Sequence, residues 1–142
     1  MKYEILEHKA DIKIKVFGKT LEELFKKAAL AMASMLKSNF KEVQPHKIGR
    51  QYLEVEPLKV EIESLDKETL LVDFLNEILA KSQINKCVYN VSSFKFHDSG
   101  LRAELISYPV ESFDEDIKAA TYHDLKISQK NGRFEVVILF DI

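Results

Sequence analysis

Apolar and polar residues alternate along the chain with two different periods, and each period predicts one kind of element. Every second residue is apolar over residues 11–17, which predicts a strand with one buried face. Shorter strand signals lie at residues 51–56 and 59–63, on either side of a proline. The last third of the chain has four more strand signals, at residues 88–96, 101–108, 119–127 and 134–140.

Two segments have apolar residues at helical spacing instead. The first runs over residues 21–36, and Thr20 with a glutamate three residues later predicts a capping box at its start. The second runs over residues 67–82, where Ser64 or Asp66 is the expected N-cap. Each helix has one broad apolar stripe, so both are expected to pack on a sheet.

Turn sequences join the late strands in pairs. Asp98-Ser99-Gly100 and Lys130-Asn131-Gly132 each stand between two strand signals, and Asn-Gly favours the tight turns of β-hairpins. The predicted order is β-α-β-β-α-β-β-β-β. This order predicts an α+β fold in which two helices pack on a largely antiparallel β-sheet system, as a single domain over residues 1–142.

Composition narrows the classes of function. The chain has 142 residues, 46% of them hydrophobic, and a net charge of −2, which argues against a protein that binds nucleic acid stably by itself. A run of about 20 apolar residues, as a membrane span needs, is not found in the sequence. With one cysteine, Cys87, no intramolecular disulfide forms, and its apolar strand predicts a buried thiol. We therefore expect a cytoplasmic protein without membrane contact.

Motifs for common reactions are missing from the sequence. It has no glycine-rich phosphate loop, no nucleophile elbow and no paired Cys-x-x-Cys. Three histidines have an aspartate nearby, in the pairs His8 and Asp11, His97 and Asp98, and His123 and Asp124. These pairs fall on predicted strands and turns, so a histidine-metal hydrolase is disfavoured and no catalytic residue is assigned.

The last strand signal points to a different kind of site. Both of its faces are apolar, which predicts a central strand covered on both sides. Asp141 follows it and lies beside the main-chain carboxylate of Ile142, while Asp11 opens the first strand. If these strands are neighbours, three carboxylates converge, as hard oxygen ligands for Ca²⁺, Mg²⁺ or Mn²⁺. Adjacency does not follow from the sequence, and a strand end that simply reaches solvent is the alternative.

Five blocks of the sequence resemble one family, the archeases. Residues 7–12 are similar to the archease opening His-Thr-Ala-Asp-Ile, with Lys9 where threonine is usual. Residues 18–25 with 28–32 and residues 70–79 resemble the two family helices. Residues 118–125 resemble Lys-Ala-Val-Thr-Tyr-His-Asp-Leu, and residues 139–142 resemble the Asp-Ile ending. Together the blocks span residues 7–142 in the family's order.

The resemblance implies a function and a site. Archeases are non-catalytic activators of the GTP-dependent tRNA-splicing RNA ligase that promote its guanylylation and turnover and broaden its nucleotide use. The implied metal ligands are Asp11, Asp141 and the carboxylate of Ile142, and the expected ion is Ca²⁺, with Mg²⁺ or Mn²⁺ as alternatives. Lys118 is the candidate contact with the ligase or its nucleotide, or else a solvated lysine at a strand edge. Lys9 adds a positive charge two residues from Asp11 and would weaken the metal site.

Two other classes of function are alternatives. A metal-dependent phosphoester hydrolase would turn over its substrate without a ligase. A chaperone-like binding module would expose an apolar patch and need no metal. The hypothesis that follows from the resemblance is that an acidic, metal-bearing tip docks at the ligase active site and organises its metal and nucleotide, or opens it for turnover.

Overall fold

The computed structural model describes residues 11–42, 47–48, 51–52 and 56–142. The helices are α1 (Leu21–Leu36) and α2 (Lys67–Asn85), and a short 3-10 turn covers Phe40–Glu42. The strands are β1 (Asp11–Gly18), β2 (Lys47–Ile48), β3 (Gln51–Tyr52), β4 (Leu58–Glu63), β5 (Cys87–His97), β6 (Gly100–Pro109), β7 (Ala119–Thr121), β8 (Ser128–Lys130) and β9 (Arg133–Asp141).

The strands form two main sheets. One has the order β1-β9-β7, with β8 also paired to β9, and the other has the order β4-β6-β5. Strands β2 and β3 form a separate two-stranded pair. Every pairing is antiparallel. The predicted α+β fold with two helices on an antiparallel sheet system is confirmed.

The core lies where the helices meet the two sheets, since each helix contacts strands of both. Phe25 of α1 and Phe74 of α2 are fully buried, and their ring centroids are 6.3 Å apart. Phe94 and Phe96 of β5 pack on the same cluster, 5.7 Å and 5.0 Å from the ring of Phe25. Tilted and edge-on ring pairs of this kind add about 0.5–1.5 kcal/mol each beyond the burial of apolar area.

Both helices begin where the sequence predicts. The hydroxyl of Thr20 accepts a hydrogen bond from the Glu23 amide at 3.0 Å, so Thr20 is the N-cap of α1. Of the two candidate caps for α2, Asp66 takes the role, because its carboxylate accepts from the Thr69 amide at 2.7 Å. Ser64 instead donates to Asp73, at 2.6 Å.

One strand prediction was wrong, and another falls partly outside the described residues. Of the signal at 119–127, only Ala119–Thr121 forms a strand, β7, because a turn around Asp124, which has a φ of +50°, follows it, and the next strand, β8, begins at Ser128. The signal at 51–56 agrees with β3 at its first two residues, Glu56 is not in a strand, and residues 53–55 lie outside the described part. The hairpin at Asn131-Gly132 is confirmed, with positive φ at both residues, as its tight turn requires.

The prediction that the last strand is covered on both faces was also wrong. Strand β9 is central in its sheet, between β1 and β7. One face, with Val136, Ile138 and Phe140, is buried in the core, but Val137 on the other face is 45% exposed. The apolar outward face is therefore open to solvent at Val137, and continuous hydrophobicity there does not reflect a second covering layer. Cys87, by contrast, is buried as predicted.

Candidate metal and partner site at the end of the central strand

The structure answers the question of adjacency that the sequence left open. Strands β1 and β9 are antiparallel neighbours, and their register sets Asp11 directly opposite Asp141. Residues opposite each other in an antiparallel pair share one face of the sheet, with Cβ atoms about 4.5–5.5 Å apart. Because Ile12 and Phe140 form the next pair and Phe140 is in the core, the two aspartates lie on the outward face.

No positive side chain in the described part of the chain forms an ion pair with Asp11 or Asp141. Asp141 is exposed and Asp11 is half-buried. Two carboxylates that face each other repel, and a bound cation relieves this repulsion. The pair therefore fits a hard divalent cation such as Ca²⁺, Mg²⁺ or Mn²⁺, which prefers oxygen ligands.

A third protein ligand would have to be a group other than a His, Cys, Asp or Glu side chain of the described residues. Among the described residues, no group of three His, Cys, Asp or Glu side chains is close enough to hold a metal ion. Ile142 follows Asp141 directly, and its side chain packs against the hydrophobic core. That packing places Ile142 next to the aspartate pair, and the contribution of its main-chain carboxylate stays a prediction.

Lys118 lies at the same end of the sheet. Its amide donates a hydrogen bond of 2.7 Å to the carbonyl oxygen of Asp141, and Ala119 pairs with Asp141 on the β7 side. The Lys118 side chain is exposed and has no ion pair with any residue that the structure describes. The four residues singled out in the sequence, Asp11, Lys118, Asp141 and Ile142, thus come together at one end of β9.

Sequence reasoning missed the polar side of helix α2, which holds the segment that contains Lys118. The side chain of Asn76 both donates to the Ala120 carbonyl, at 3.0 Å, and accepts from the Ala120 amide, at 2.8 Å. Seven residues further along the helix, Gln83 donates to the carbonyl of Ile117 at 2.8 Å. Polar residues at helical spacing beside the apolar stripe of α2 were the available signal.

Asp73, also on helix α2, contacts the residue that directly follows β7. Its carboxylate accepts hydrogen bonds from the hydroxyls of Tyr122 and Ser64. The bond to Asp73 raises the pKa of the Tyr122 hydroxyl, with burial as a second cause. Tyr122 is 56% exposed, so its hydrogen bond to Asp73 holds an exposed aromatic residue on the segment that contains Lys118.

The histidines do not gather at this end. His97 lies on β5 in the other sheet, where its Nε2 is 3.7 Å from Glu61 Oε1 and makes no hydrogen bond within the described part. His123 lies in the turn after β7, with its Nε2 3.1 Å from Asp124 Oδ2, and both side chains are largely exposed. His8 and Lys9, which the sequence also singled out, lie outside the described residues.

The fold and the site together define an α+β protein with a carboxylate pair at the exposed end of a central strand. The chain belongs to the archease family, because residues 3–142 match the sequence model described as "Archease protein family (MTH1598/TM1083)". It is similar to "Protein archease" of Methanosarcina mazei, at 31% identity over 99% of this chain and 96% of that one. It is also similar to "Protein archease" of Pyrococcus furiosus, at 33% identity over 99% of this chain and 98% of that one.

Solved structures share the fold. The solution structure of Methanobacterium thermoautotrophicum protein 1598 matches with a TM-score of 0.70 and 25% identity, over 96% of each chain. The crystal structure of a Thermotoga maritima protein described as "an archease, possible chaperone" matches with a TM-score of 0.69 and 19% identity, over 100% of this chain and 98% of that one. In the described part of the present chain, neither helix is long and apolar enough to cross a membrane.

Proposed function

We propose that this protein is a non-catalytic activator of the GTP-dependent tRNA-splicing RNA ligase, as its resemblance to the archeases implies. The observation that carries the proposal is the pairing of Asp11 with Asp141, with Lys118 hydrogen-bonded to the same strand end. These are the residues that the family resemblance assigns to the metal and to the partner. The protein would raise the guanylylation and turnover of the ligase and broaden its nucleotide use.

The proposed cofactor is a divalent cation, Ca²⁺ first and Mg²⁺ or Mn²⁺ as alternatives. Asp11 and Asp141 would hold it, with the main-chain carboxylate of Ile142 as the third ligand. Bound there, the ion would offset two of the three negative charges and hold the carboxylates together. This end of β9 would then dock at the ligase active site. There Lys118 would contact a carboxylate of the ligase or a phosphate of its nucleotide.

The decisive experiment follows guanylylation and ligation by the ligase of the same organism. Single-turnover guanylylation and multiple-turnover ligation are measured with and without this protein, over a range of concentrations and with each of the three metals. We expect substoichiometric amounts to restore repeated turnover, since an activator is not consumed. Unchanged rates of both steps in every condition would overturn the proposal.

A chaperone-like binding module is the second candidate, since the similar Thermotoga maritima protein is described as a possible chaperone. The exposed apolar residues Val137 and Tyr122 are the observation that favours it here. Suppression of aggregation of unrelated unfolding proteins, without added metal and with no effect on the ligase, would favour this function. Hydrolysis of phosphoesters by the purified protein without a ligase would instead indicate a hydrolase.

A further inference from the structure

The strand that contacts Asp141 from the β7 side is short and forms the edge of its sheet. Strand β7 has three residues, Ala119–Thr121, and only β9 pairs with it among the described strands. A three-residue strand gains few ladder hydrogen bonds, and its free edge exposes unpaired backbone groups. On strand pairing alone, this segment would be expected to fray and to leave Asp141 without a fixed neighbour.

The side chain of Asn76 covers that free edge. Its amide nitrogen donates to the Ala120 carbonyl and its amide oxygen accepts from the Ala120 amide, at 3.0 Å and 2.8 Å. Asn76 thus occupies both backbone groups of the middle residue of β7, as a further strand would. Because Ala120 is only 3% exposed, these groups would be unpaired and shielded from water without Asn76.

Two backbone contacts connect this segment to Asp141. Ala119, next to Ala120, pairs with Asp141 in the sheet, and the amide of Lys118 donates to the Asp141 carbonyl at 2.7 Å. On its other side Asp141 pairs with Asp11. The backbone of Asp141 is therefore held between β1 and a segment whose own position depends on helix α2.

We propose that Asn76 is a positioning residue, which holds Lys118 and Ala119 against Asp141 through its two hydrogen bonds to Ala120 and so sets the geometry of the carboxylate pair. The metal part of this inference rests on the proposed function. Asn76 would itself contact neither the partner nor the ion. It acts as the residues behind metal ligands do, whose loss typically lowers metal affinity by roughly 10–100-fold.

The test compares two leucine substitutions on the same helix. Asn76→Leu removes both bonds to Ala120. Asn85→Leu is the matched control. It also removes a side-chain hydrogen bond, of 2.8 Å, but that bond joins Asn85 to Tyr89 of the other sheet. Amide hydrogen exchange of Lys118, Mn²⁺ affinity by calorimetry and urea unfolding are measured for both variants. For Asn76→Leu we expect Lys118 exchange and the Mn²⁺ dissociation constant each to rise about tenfold or more relative to Asn85→Leu.

Each outcome decides the inference. Equal Lys118 exchange in the two variants overturns it, and so does faster exchange with unchanged Mn²⁺ affinity, since the asparagine would then only stabilise backbone. If the wild-type protein binds no Mn²⁺, Ca²⁺ or Mg²⁺, the proposed metal site fails, and Lys118 exchange alone decides the role of Asn76. If Asn76→Leu does not fold, native-state exchange of the wild type decides: Lys118 and Ala120 should open together, with similar protection, and clearly different protection overturns the inference.

Discussion

Asp11 and Asp141 lie directly opposite each other on neighbouring antiparallel strands, and no positive side chain of the described residues pairs with either. Elsewhere on the same two strands the charges are complementary, as Lys15 and Glu135 show with a separation of 3.9 Å. A pair of like charges at one end of a sheet lowers stability unless a cation binds there. Because the aspartate pair is the exception to this complementarity, substitutions of Asp11 and Asp141 test the proposed site most directly.

Replacing either aspartate should separate metal binding from stability. We expect Asp11→Asn and Asp141→Asn each to weaken Mn²⁺ binding and ligase activation, because one ligand charge is lost. The metal-free protein should be unchanged or more stable by roughly 0.2–1 kcal/mol, since the repulsion between opposite residues disappears. Calorimetry and urea unfolding measure the two effects. Asp98→Asn, in the turn between β5 and β6, is the control, and wild-type affinity in both site variants would remove the site.

Extending the chain after Ile142 tests the main-chain carboxylate. An added residue converts that carboxylate into an amide, which removes one negative charge and leaves a weaker carbonyl ligand. We expect a C-terminal tag to reduce metal binding and ligase activation sharply, whereas Ile142→Val should behave as the wild type does. The same tag placed before Met1 is the control. Equal activation by the two tagged forms would reject the terminal ligand, even if both aspartates still matter.

Substitution of Lys118 should lower ligase activation and leave metal affinity unchanged. Its amide, which contacts Asp141, is retained in alanine, so Lys118→Ala should leave Mn²⁺ affinity close to that of the wild type. Ligase activation should fall by roughly thirtyfold or more, because loss of one partner of a charge pair buried in an interface costs about 2 kcal/mol or more. Lys95→Ala, an exposed lysine of the other sheet, is the control. Equal activation by the two variants would contradict the predicted contact.

Alkaline pH should destabilise the fold through Tyr89. Burial raises the pKa of Tyr89 from 10.0 to about 12, and the nearby Cys87 thiol adds to the shift. A group whose pKa is raised in the folded state contributes its full stability below its unfolded pKa and loses it as pH rises toward the folded pKa. The urea midpoint of the wild type should therefore fall more steeply between about pH 10 and 12 than that of Tyr89→Phe. Parallel curves would show that Tyr89 ionisation is not coupled to unfolding.

The sequence by itself determined the elements that depend on local patterns. Thr20 is an N-cap because its hydroxyl needs only an amide three residues away, and the Asn131-Gly132 hairpin follows from the positive φ angles that its tight turn requires. The break between β7 and β8 escaped prediction, because its turn at Asp124 occurs without a glycine or proline to mark it.

Only the tertiary structure decided which distant residues meet. The apolar run of β9 predicted a core strand, but whether one or both faces are covered depends on what packs there, and Val137 is partly exposed. Asp11 and Asp141 are 130 positions apart in the sequence, and their pairing required β1 and β9 to be neighbours in a particular register. The support of β7 by Asn76 likewise arises from a contact between a helix and a strand edge. Such contacts carry no local signature, because long-range packing and hydrogen bonding determine them.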